Sequence, residues 1–423
     1  MLDIKAIRED PEPFRKGLAR RNLADAVDAL LAADERRRTL TGRVEALRAE
    51  QNRASKAIGG AQSDERQRLI DEVSSVSAEL KALEPELEAA ERELADLLAN
   101  TPNIPHESAP DGFTDEDALE IRRHGEPTTF DFEPRDHVAL GELLGVLDIE
   151  RAVRTSGSRF VYLLGDIVLV QFALVRHALD ILVSKGFTPV VPPVLVREEA
   201  MYGTGFLPTE AVNIYKTEQD DLYLVGTSEV PLAALHMDEI LEEGVLPRRY
   251  AGYSTCFRRE AGSYGKDLGG MFRVHQFDKV EMFSFSTPES SWDELELLVS
   301  VEEEILGNLE FPYRVVNIAA GDLGGSAAKK YDIEAWLPGQ WRYRELTSCS
   351  NYTDYGARRA KTRMRRSGGA VEVLHTLNGT ATAIGRTLIA IMENHQQADG
   401  SVVLPATLHP YLPESTRVLR PKA

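Results

Sequence analysis

Apolar side chains recur at alternating three- and four-residue steps in two stretches of the first hundred residues. This spacing is typical of the buried seam of a coiled coil. Residues 59–63 (GGAQS) separate the stretches and predict a turn in which Ser63 caps the second helix. We therefore predict an antiparallel two-helix arm over about residues 28–98, about 45 Å long. The seam residues are Leu30, Ala33, Leu40, Val44, Leu47, Ala54 and Ile58, with Arg37 and Gln51 in two slots, and then Val73, Val76, Leu80, Leu83, Leu87, Ala90, Leu94 and Leu97.

Proline marks two places where the arm pattern is disturbed. Pro85 lies inside the second helix, where it removes a backbone donor and should kink the helix locally. Further prolines lie in residues 101–112, which we interpret as a linker. We therefore predict an N-terminal domain over residues 1–100 and a second domain over residues 113–423.

Beyond the linker the pattern changes to a mixture of helices and strands. Apolar residues cover most faces of Asp166–Lys185, which predicts a buried helix that begins at an aspartate cap and stops at Gly186. A second helix is predicted from Pro288 to Gly307. Strands are predicted at Leu222–Val225, Arg249–Glu260 and Phe272–Phe285.

Composition narrows the class of protein. A chain of 423 residues exceeds one ordinary core, and no apolar run is long enough to span a membrane. The charged N-terminus does not resemble a signal peptide. With only Cys256 and Cys349, we expect no disulfide framework, no zinc site and a cytoplasmic location. The net charge of −19 has the wrong sign for a general nucleic-acid binder, so any RNA contact needs local basic patches.

The charge of the arm is unevenly distributed between its two helices. Residues 34–58 carry seven basic and four acidic side chains, whereas residues 64–98 carry four basic and eleven acidic ones. One interpretation is a solvated hairpin held by salt bridges between the helices. The other is that the first helix presents cations to RNA phosphates. The basic side chains are Arg36, Arg37, Arg38, Arg43, Arg48, Arg53 and Lys56.

The two longest predicted strands flank a glycine-rich segment, residues 261–271, and suggest a hairpin with a mobile tip. Alternation along a strand places Arg258 and Glu260 on one face, and Arg273, Phe277 and Glu281 on one face of the other strand. Arginines suit phosphates, a ring suits stacking and a carboxylate suits an ammonium. An exposed sheet face with ordinary ion pairs remains an equal alternative. Neither a Rossmann nor a P-loop glycine pattern is present.

Three segments in order resemble the signature motifs of class II aminoacyl-tRNA synthetases. They are GFTPVVPPVLV at 186–196, with Pro192, FRREAG at 257–262, and NGTATAIGRTL at 378–388. Four more resemble the seryl-tRNA synthetases in particular: GTGFLP at 203–208, TSE at 227–229, KVEMF at 279–283 and ELTSCSNYTDYGARR at 345–359. The helical arm is also typical of that family. The resemblance covers the whole chain.

The resemblance implies an α+β fold, in which a mainly antiparallel catalytic sheet is flanked by helices and joined to the coiled-coil arm. It implies a homodimer that uses ATP and Mg²⁺ to activate L-serine and transfers the seryl group to tRNA(Ser); tRNA(Sec) is a second acceptor that the sequence leaves open. No general base is needed for the first step, which requires alignment and neutralisation of phosphate charge. The arm would grip the tRNA through the seven basic residues named above.

The resemblance also assigns roles to individual residues. Arg258 and Arg386 are the expected catalytic residues, and Glu345 with Ser348 would help to hold Mg²⁺. Serine would be bound by Thr227, Ser228, Glu229, Arg258, Glu281 and Thr380. ATP would be bound by Arg258, Arg259, Glu260, Arg273, Val274, Phe277, Glu345, Leu346, Thr347, Ser348 and Arg386.

Some features leave the functional assignment open at this stage. Thr380 replaces a frequent serine, and Leu346-Thr347 replaces a frequent Ile-Ser, so we expect an altered pocket volume. The alternatives are a synthetase-like ligase that loads a carrier protein, which would lack the arm, and a non-catalytic RNA-binding relative, which would have lost Arg258, Glu260 or Arg386. A second basic cluster is interpreted as a set of structural ion pairs or as an acceptor-stem contact, and both cysteines as core residues. The cluster comprises Arg358, Arg359, Lys361, Arg363, Arg365 and Arg366.

Overall fold

The computed structural model describes residues 1–261 and 269–422. The chain forms two compact units, one of residues 2–102 and the other of residues 103–423 together with Met1. Most of the glycine-rich segment between the two predicted strands, and hence its predicted mobile tip, lies outside the described residues.

Helices dominate the smaller unit and surround the sheet of the larger one. In chain order they are α1 Ile4–Glu9, α2 Glu12–Ala19, α3 Ala26–Ile58, α4 Ser63–Asn100, α5 His137–Leu144, α6 Ile149–Ser156, α7 Asp166–Ser184, α8 Glu198–Gly203, α9 Glu229–Ala234, α10 Ser291–Asn308, α11 Tyr355–Ala360 and α12 Ile384–Asn394.

All the strands lie in the larger unit. They are β1 Leu119–His124, β2 Leu147–Asp148, β3 Tyr162–Leu163, β4 Thr188–Val190, β5 Leu195–Val196, β6 Tyr215–Lys216, β7 Tyr223–Leu224, β8 Ile240–Glu242, β9 Arg248–Phe257, β10 Gln276–Ser286, β11 Tyr313–Asn317, β12 Lys329–Leu337, β13 Arg342–Asn351, β14 Arg363–Arg365, β15 Val371–Val373, β16 His375–Ala383, β17 Val402–Val403 and β18 Val418–Leu419.

The smaller unit is built around the predicted arm. Helices α3 and α4 pack along their length, and the apolar seam between them buries Val44, Leu47, Val76, Leu80 and Leu83. The polar seam slot at Gln51 is satisfied because its amide donates to the Ser77 hydroxyl at 2.7 Å. The heptad spacing therefore predicted both the pairing and the residues that the pairing buries.

One detail of the arm, the position of the cap of α4, differs from expectation. Ser63 is the first helical residue and not the cap; the cap position is Gln62, which makes no capping side-chain bond. Helix α4 continues without interruption through Pro85. Pro85 is exposed, so water can bond the carbonyl group whose donor the proline removed.

The larger unit is organised by an eight-stranded sheet in the order β1-β11-β12-β13-β16-β10-β9-β4. Every neighbouring pair in it is antiparallel except β4 with β9. Helices α7, α10 and α12 pack on this sheet and enclose the main apolar core. The predicted α+β class and the mainly antiparallel sheet are thus confirmed.

Helix α7 is the predicted buried helix, with Gly165 and not Asp166 at its cap position. It is long and apolar enough to cross a membrane by length and composition alone, with a mean hydropathy of 1.8 over its best window. Its buried side, which includes Ile167, Leu174 and Leu182, belongs to the main core of the larger unit. This packing identifies α7 as a helix of the core of the larger unit.

The hairpin strands are shorter than predicted. Strand β9 ends at Phe257 and β10 begins at Gln276, so Arg258, Glu260 and Arg273 lie beyond the ends of the ladder. Glu260 has a positive φ of 49°, a backbone conformation that no regular strand contains. The alternation of strand faces therefore applies to Phe277 and Glu281 but not to these three residues.

One carboxyl group is fully enclosed between α10 and the sheet. Glu302 is 0% exposed and accepts a hydrogen bond from the Thr347 hydroxyl at 3.0 Å. Burial raises the pKa of Glu302 well above its usual range. The folded protein therefore keeps this proton at pH values where the unfolded chain has released it.

This difference makes stability depend on pH. Above the unfolded pKa the unfolded chain binds fewer protons than the folded one at this site, so stability falls as pH rises, by at most about 1.4 kcal/mol per pH unit. We expect Glu302→Gln to raise the thermal midpoint relative to the parent protein, by a margin that grows between about pH 5 and about pH 8. Glu304→Gln, at the surface of the same helix, is the control. A margin independent of pH would contradict an enclosed, protonated Glu302.

Candidate active site

A cavity of about 510 Å³ opens where the central strands β10, β13 and β16 meet the ends of the hairpin. Its walls bring together residues that are far apart in the sequence. Those predicted for the site that line it are Thr227, Glu229, Arg258, Glu260, Arg273, Val274, Phe277, Glu345, Leu346, Ser348, Thr380 and Arg386.

Two arginines and a ring form one part of the cavity wall. The guanidinium of Arg258 lies 5.3 Å from the centre of the Phe277 ring, and its Nε donates to the carbonyl of Gly226 at 3.1 Å. Arg273 forms an ion pair with Glu260 at 2.6 Å. A flat ring beside fixed guanidinium groups is suited to a base and its phosphates.

Arg386 is held at the first turn of α12. Its guanidinium donates to the carbonyl of Glu345 at 2.9 Å and lies 4.7 Å from the centre of the Phe272 ring. The N-terminus of α12 has no side-chain cap, and Ala383 and Gly385 beside it line the cavity. Free backbone N–H groups and a cation here favour an anion.

Glu345 is an ionised carboxylate on the same wall. Burial alone would raise its pKa, but Arg386, Lys330 and Arg258 outweigh that effect and lower the pKa of Glu345 to about 2. This part of the cavity therefore contains a fixed negative charge among several cations, an arrangement that could share a divalent metal with bound phosphates.

Two buried glutamates form the opposite part of the site. Glu281 is 0% exposed, and the Asn378 amide donates to both Glu281 and Glu229, at 3.2 and 3.1 Å. The Thr227 hydroxyl donates to Glu281 at 3.3 Å. Burial, reinforced by the nearby Glu281, raises the pKa of Glu229 to about 7. Glu229 lines the cavity and Glu281 is buried beside it, so the pair gives this part of the site the negative charge that suits an ammonium group.

Besides the fully buried Glu281, three predicted contact residues do not line the cavity. Thr347 faces α10 because alternation along β13 turns it away from Ser348. Ser228 is buried against Ser254, with 2.8 Å between the hydroxyl oxygens. Arg259 is exposed and contributes its backbone N–H to the carbonyl of Asn213. Direct contact of these side chains with a ligand in the cavity is therefore not supported by the geometry.

Sequence reasoning missed several residues on the walls. Lys279 lies on β10 between Phe277 and Glu281 and shares their face, so strand alternation could have found it. Lys330, on β12, lies outside every segment that the resemblance singled out. Tyr352 and Asn378 lie within the segments at 345–359 and 378–388, but no role was assigned to them. Phe272, which supports Arg386, also lines the cavity.

The basic cluster after β13 is largely engaged in structural contacts. Arg366 pairs with Glu243, Glu289 and Glu372, and Arg358 pairs with Asp354. Arg359 is buried and donates to the carbonyl of Leu207. Arg365 pairs with Glu242, and Lys361 lies 3.7 Å from Asp238. These contacts support the structural interpretation for Arg358, Lys361, Arg365 and Arg366, whereas the hydrogen bond from Arg359 to Leu207 is to a carbonyl group and not to an acid.

Both cysteines are buried, as expected for core residues. Burial raises the pKa of the Cys256 and Cys349 thiols, which disfavours the reactive thiolate.

The family models match both units of the chain. Residues 1–105 match the seryl-tRNA synthetase N-terminal domain, and residues 213–395 match the tRNA synthetase class II core domain (G, H, P, S and T). Among curated relatives, the chain is 52% identical over 423 residues to the serine–tRNA ligase of Acidothermus cellulolyticus and 50% identical over 427 residues to that of Streptomyces coelicolor. Each alignment covers 100% of both chains.

Solved structures agree with these relatives. The crystal structure of seryl-tRNA synthetase from Pyrococcus horikoshii complexed with ATP matches with a TM-score of 0.92 and 42% identity, over 100% of both chains. The cytoplasmic serine-tRNA ligase of Naegleria fowleri in complex with AMP matches with a TM-score of 0.87 and 36% identity, over 100% of this chain and 99% of that one. With its cavity, its arm and these full-length matches, the chain belongs to the seryl-tRNA synthetase family of class II aminoacyl-tRNA synthetases.

Proposed function

We propose that this protein joins serine to ATP, releasing pyrophosphate, and then transfers the seryl group from seryl-adenylate to the terminal adenosine of tRNA(Ser). One observation carries the proposal. A single cavity combines a cationic wall, formed by Arg258, Arg273 and Arg386, with the buried carboxylates of Glu229 and Glu281 next to it. The cationic wall suits the triphosphate of ATP, and the two carboxylates suit the ammonium group of an amino acid.

The first step is an in-line attack of the serine carboxylate on the α-phosphorus. It needs alignment and charge neutralisation and little proton transfer. Arg258, fixed by Gly226 and lying over Phe277, is placed to hold the α-phosphate beside the substrate carboxylate. Arg386 and Arg273 would neutralise the outer phosphates, and Glu260 would orient the base.

Mg²⁺ would be bound among the arginines of the cationic wall by one strong protein ligand, the Glu345 carboxylate. Among the described residues no group of three histidines, cysteines or acids could hold a metal without substrate. Magnesium commonly uses one or two carboxylates together with substrate phosphates. The Glu345 carboxylate would supply that ligand, with Ser348 beside it on the cavity wall. The bound ion would lower the charge repulsion within the triphosphate.

Selection of serine would depend on its hydroxyl group. Asn378 lines the cavity, and its buried Oδ1 has no hydrogen-bond partner among the described residues; alanine would leave it unpaired, at a cost of about 1–3 kcal/mol. Threonine would be excluded by crowding. Thr380 lines the cavity, so its additional methyl group relative to serine narrows the space near Glu281.

The arm would contact tRNA through only some of the seven basic residues predicted for that role. Arg36, Arg43 and Arg48 pair with glutamates of α4 at 3.0, 2.5 and 2.8 Å. Arg37 pairs with Asp34 at 2.8 Å. Within the part of the chain that the structure describes, no ion pair involves the exposed residues Arg38, Arg53 and Lys56.

These three unpaired cations share one side of α3. At about 100° per residue they fall within about 60° of one another, opposite the seam at Val44 and Leu47. Phosphates of an RNA helix could therefore approach them without disturbing the contact with α4.

The remaining partners follow from the family. A homodimer would cover exposed apolar side chains of α7, among them Leu169, Phe172 and Val183. A selenocysteine tRNA would be a second acceptor if its shape fits the arm. The cytoplasm is the expected location. A carrier-protein ligase is disfavoured because the N-terminal domain matches a tRNA-binding synthetase family.

The activation step can be tested by the exchange of labelled pyrophosphate into ATP with each amino acid in turn. We expect exchange with serine alone at physiological concentrations. Arg258→Ala should remove this exchange because the α-phosphate loses its fixed cation, by about a hundredfold or more, with an unchanged thermal midpoint. Absence of exchange with every amino acid, or full activity of Arg258→Ala, would contradict the proposal.

The RNA contact can be tested with matched triple variants of α3. We expect Arg38→Ala/Arg53→Ala/Lys56→Ala to raise the KM for tRNA in charging, to reduce the salt dependence of binding by about two units of log–log slope, and to leave pyrophosphate exchange unchanged. The control is Arg36→Ala/Arg43→Ala/Arg48→Ala, which removes cations that are already paired. A control that weakens tRNA binding as much as the test variant would refute the selective use of the unpaired side.

The raised pKa of Glu229 gives a pH dependence. Below about pH 7 the carboxyl is protonated and offers no charge to the serine ammonium, so kcat/KM for serine in exchange should rise with pH, by at most about tenfold per unit. Glu229→Gln should lower activity and remove this rise. A flat profile for the parent protein between about pH 6 and about pH 8 would contradict a role for Glu229 as an ionised ligand.

A further inference from the structure

Lys279 is a buried cation in the site to which neither the motifs nor the proposed reaction gives a role. Its side chain is 8% exposed and lines the cavity. On β10 it lies between Phe277, on the nucleotide side, and Glu281, on the serine side. Its ammonium forms an ion pair with the Glu281 carboxylate, on the same oxygen that accepts the Thr227 hydroxyl.

The need for a cation here follows from the burial of two carboxylates. Glu229 and Glu281 share the Asn378 amide, and each is at most 4% exposed. Two negative charges that share one amide in a buried site repel each other. This repulsion favours a state in which one of the two carboxyls takes up a proton. A carboxyl that has taken up a proton cannot attract an ammonium as a full charge.

Among the described residues, Lys279 forms an ion pair with Glu281 and none with Glu229, whose pKa Lys279 and Arg258 lower without such contact. The ammonium of Lys279 contacts Glu281, whereas Glu229 accepts from the neutral Asn378 amide. This asymmetry separates the two carboxyls: a cation contacts Glu281, whereas burial and the nearby Glu281 raise the pKa of Glu229 to about 7.

We propose that Lys279 is a positioning residue for serine binding, which offsets the charge of the buried Glu281 carboxylate and fixes it so that it can receive the serine ammonium. This inference rests on the proposed function. Lys279 lines the cavity, but its ammonium is taken up by the ion pair with Glu281, so it would act on serine through that carboxylate. Removal of its charge should therefore weaken the binding of serine and leave the binding of ATP intact.

The experiment measures pyrophosphate exchange for Lys279→Met, which keeps most of the length of the unbranched side chain and removes its charge. We expect the KM for serine to rise about tenfold or more, with the KM for ATP within about twofold of the parent value. Lys329→Met is the matched control, because Lys329 lies over the Tyr331 ring on β12 and does not line the cavity. It should leave both constants unchanged.

A double-mutant cycle with Glu281→Gln separates action through Glu281 from direct contact. If Lys279 acts through Glu281, Lys279→Met/Glu281→Gln should bind serine no more weakly than Glu281→Gln alone. A further loss in the double variant, an equal rise in the KM for ATP, or an unchanged KM for serine in Lys279→Met would each overturn the proposal.

A second pair of variants covers a failure of Lys279→Met to fold, which its thermal midpoint would reveal. Lys279→Arg keeps the charge and Lys279→Gln removes it. The KM for serine should be lower for Lys279→Arg than for Lys279→Gln, and equal values would overturn the proposal. The parent protein distinguishes the two levels of inference: if it shows no serine-dependent exchange, the proposed function itself fails, whereas normal exchange by the parent confines any failure to Lys279.

Discussion

Compensation of buried charge is the constraint on which the site depends. Phe277 and Lys279 of β10 line the cavity and Glu281 follows them on the same face of the strand, fully buried, whereas Val280 and Met282 pack in the apolar core. Charges on the cavity side cannot be hydrated freely, so each needs a partner at hydrogen-bond distance. Lys279 supplies it for Glu281, and Arg386 with Lys330 supplies it for Glu345. The same groups leave positions at which a substrate of opposite charge can bind.

The sequence carried strong local information on some elements and none on others. The heptad spacing identified the arm, and strand alternation placed Phe277 and Glu281 together, because both patterns repeat within a few residues. Arg258, Glu260 and Arg273 lie outside the ladder, so the same alternation described them wrongly although they line one cavity. Glu345 and Thr380 reach the site through long-range strand pairing. Only the family resemblance pointed to them.

The centre of the sheet shows how closely the site and the core are connected. At Gly379 on β16, a Cβ atom would lie 2.9 Å from Met282 Cε and 3.1 Å from both Cys349 Cβ and Glu302 Oε1. The next residue of β16, Thr380, lines the cavity. A side chain at Gly379 would thus push on α10 and displace the wall beside Glu281. The absence of a side chain there keeps the serine side of the cavity in place.

The two faces of α3 have different roles. One packs against α4, and the other exposes cations to solvent. A change in the seam has to be answered by a change in α4, whereas a change on the outer face meets only what approaches from solution. The two faces can therefore evolve at separate rates. Preference for one RNA over another could shift by substitutions that leave the hairpin itself as stable as before.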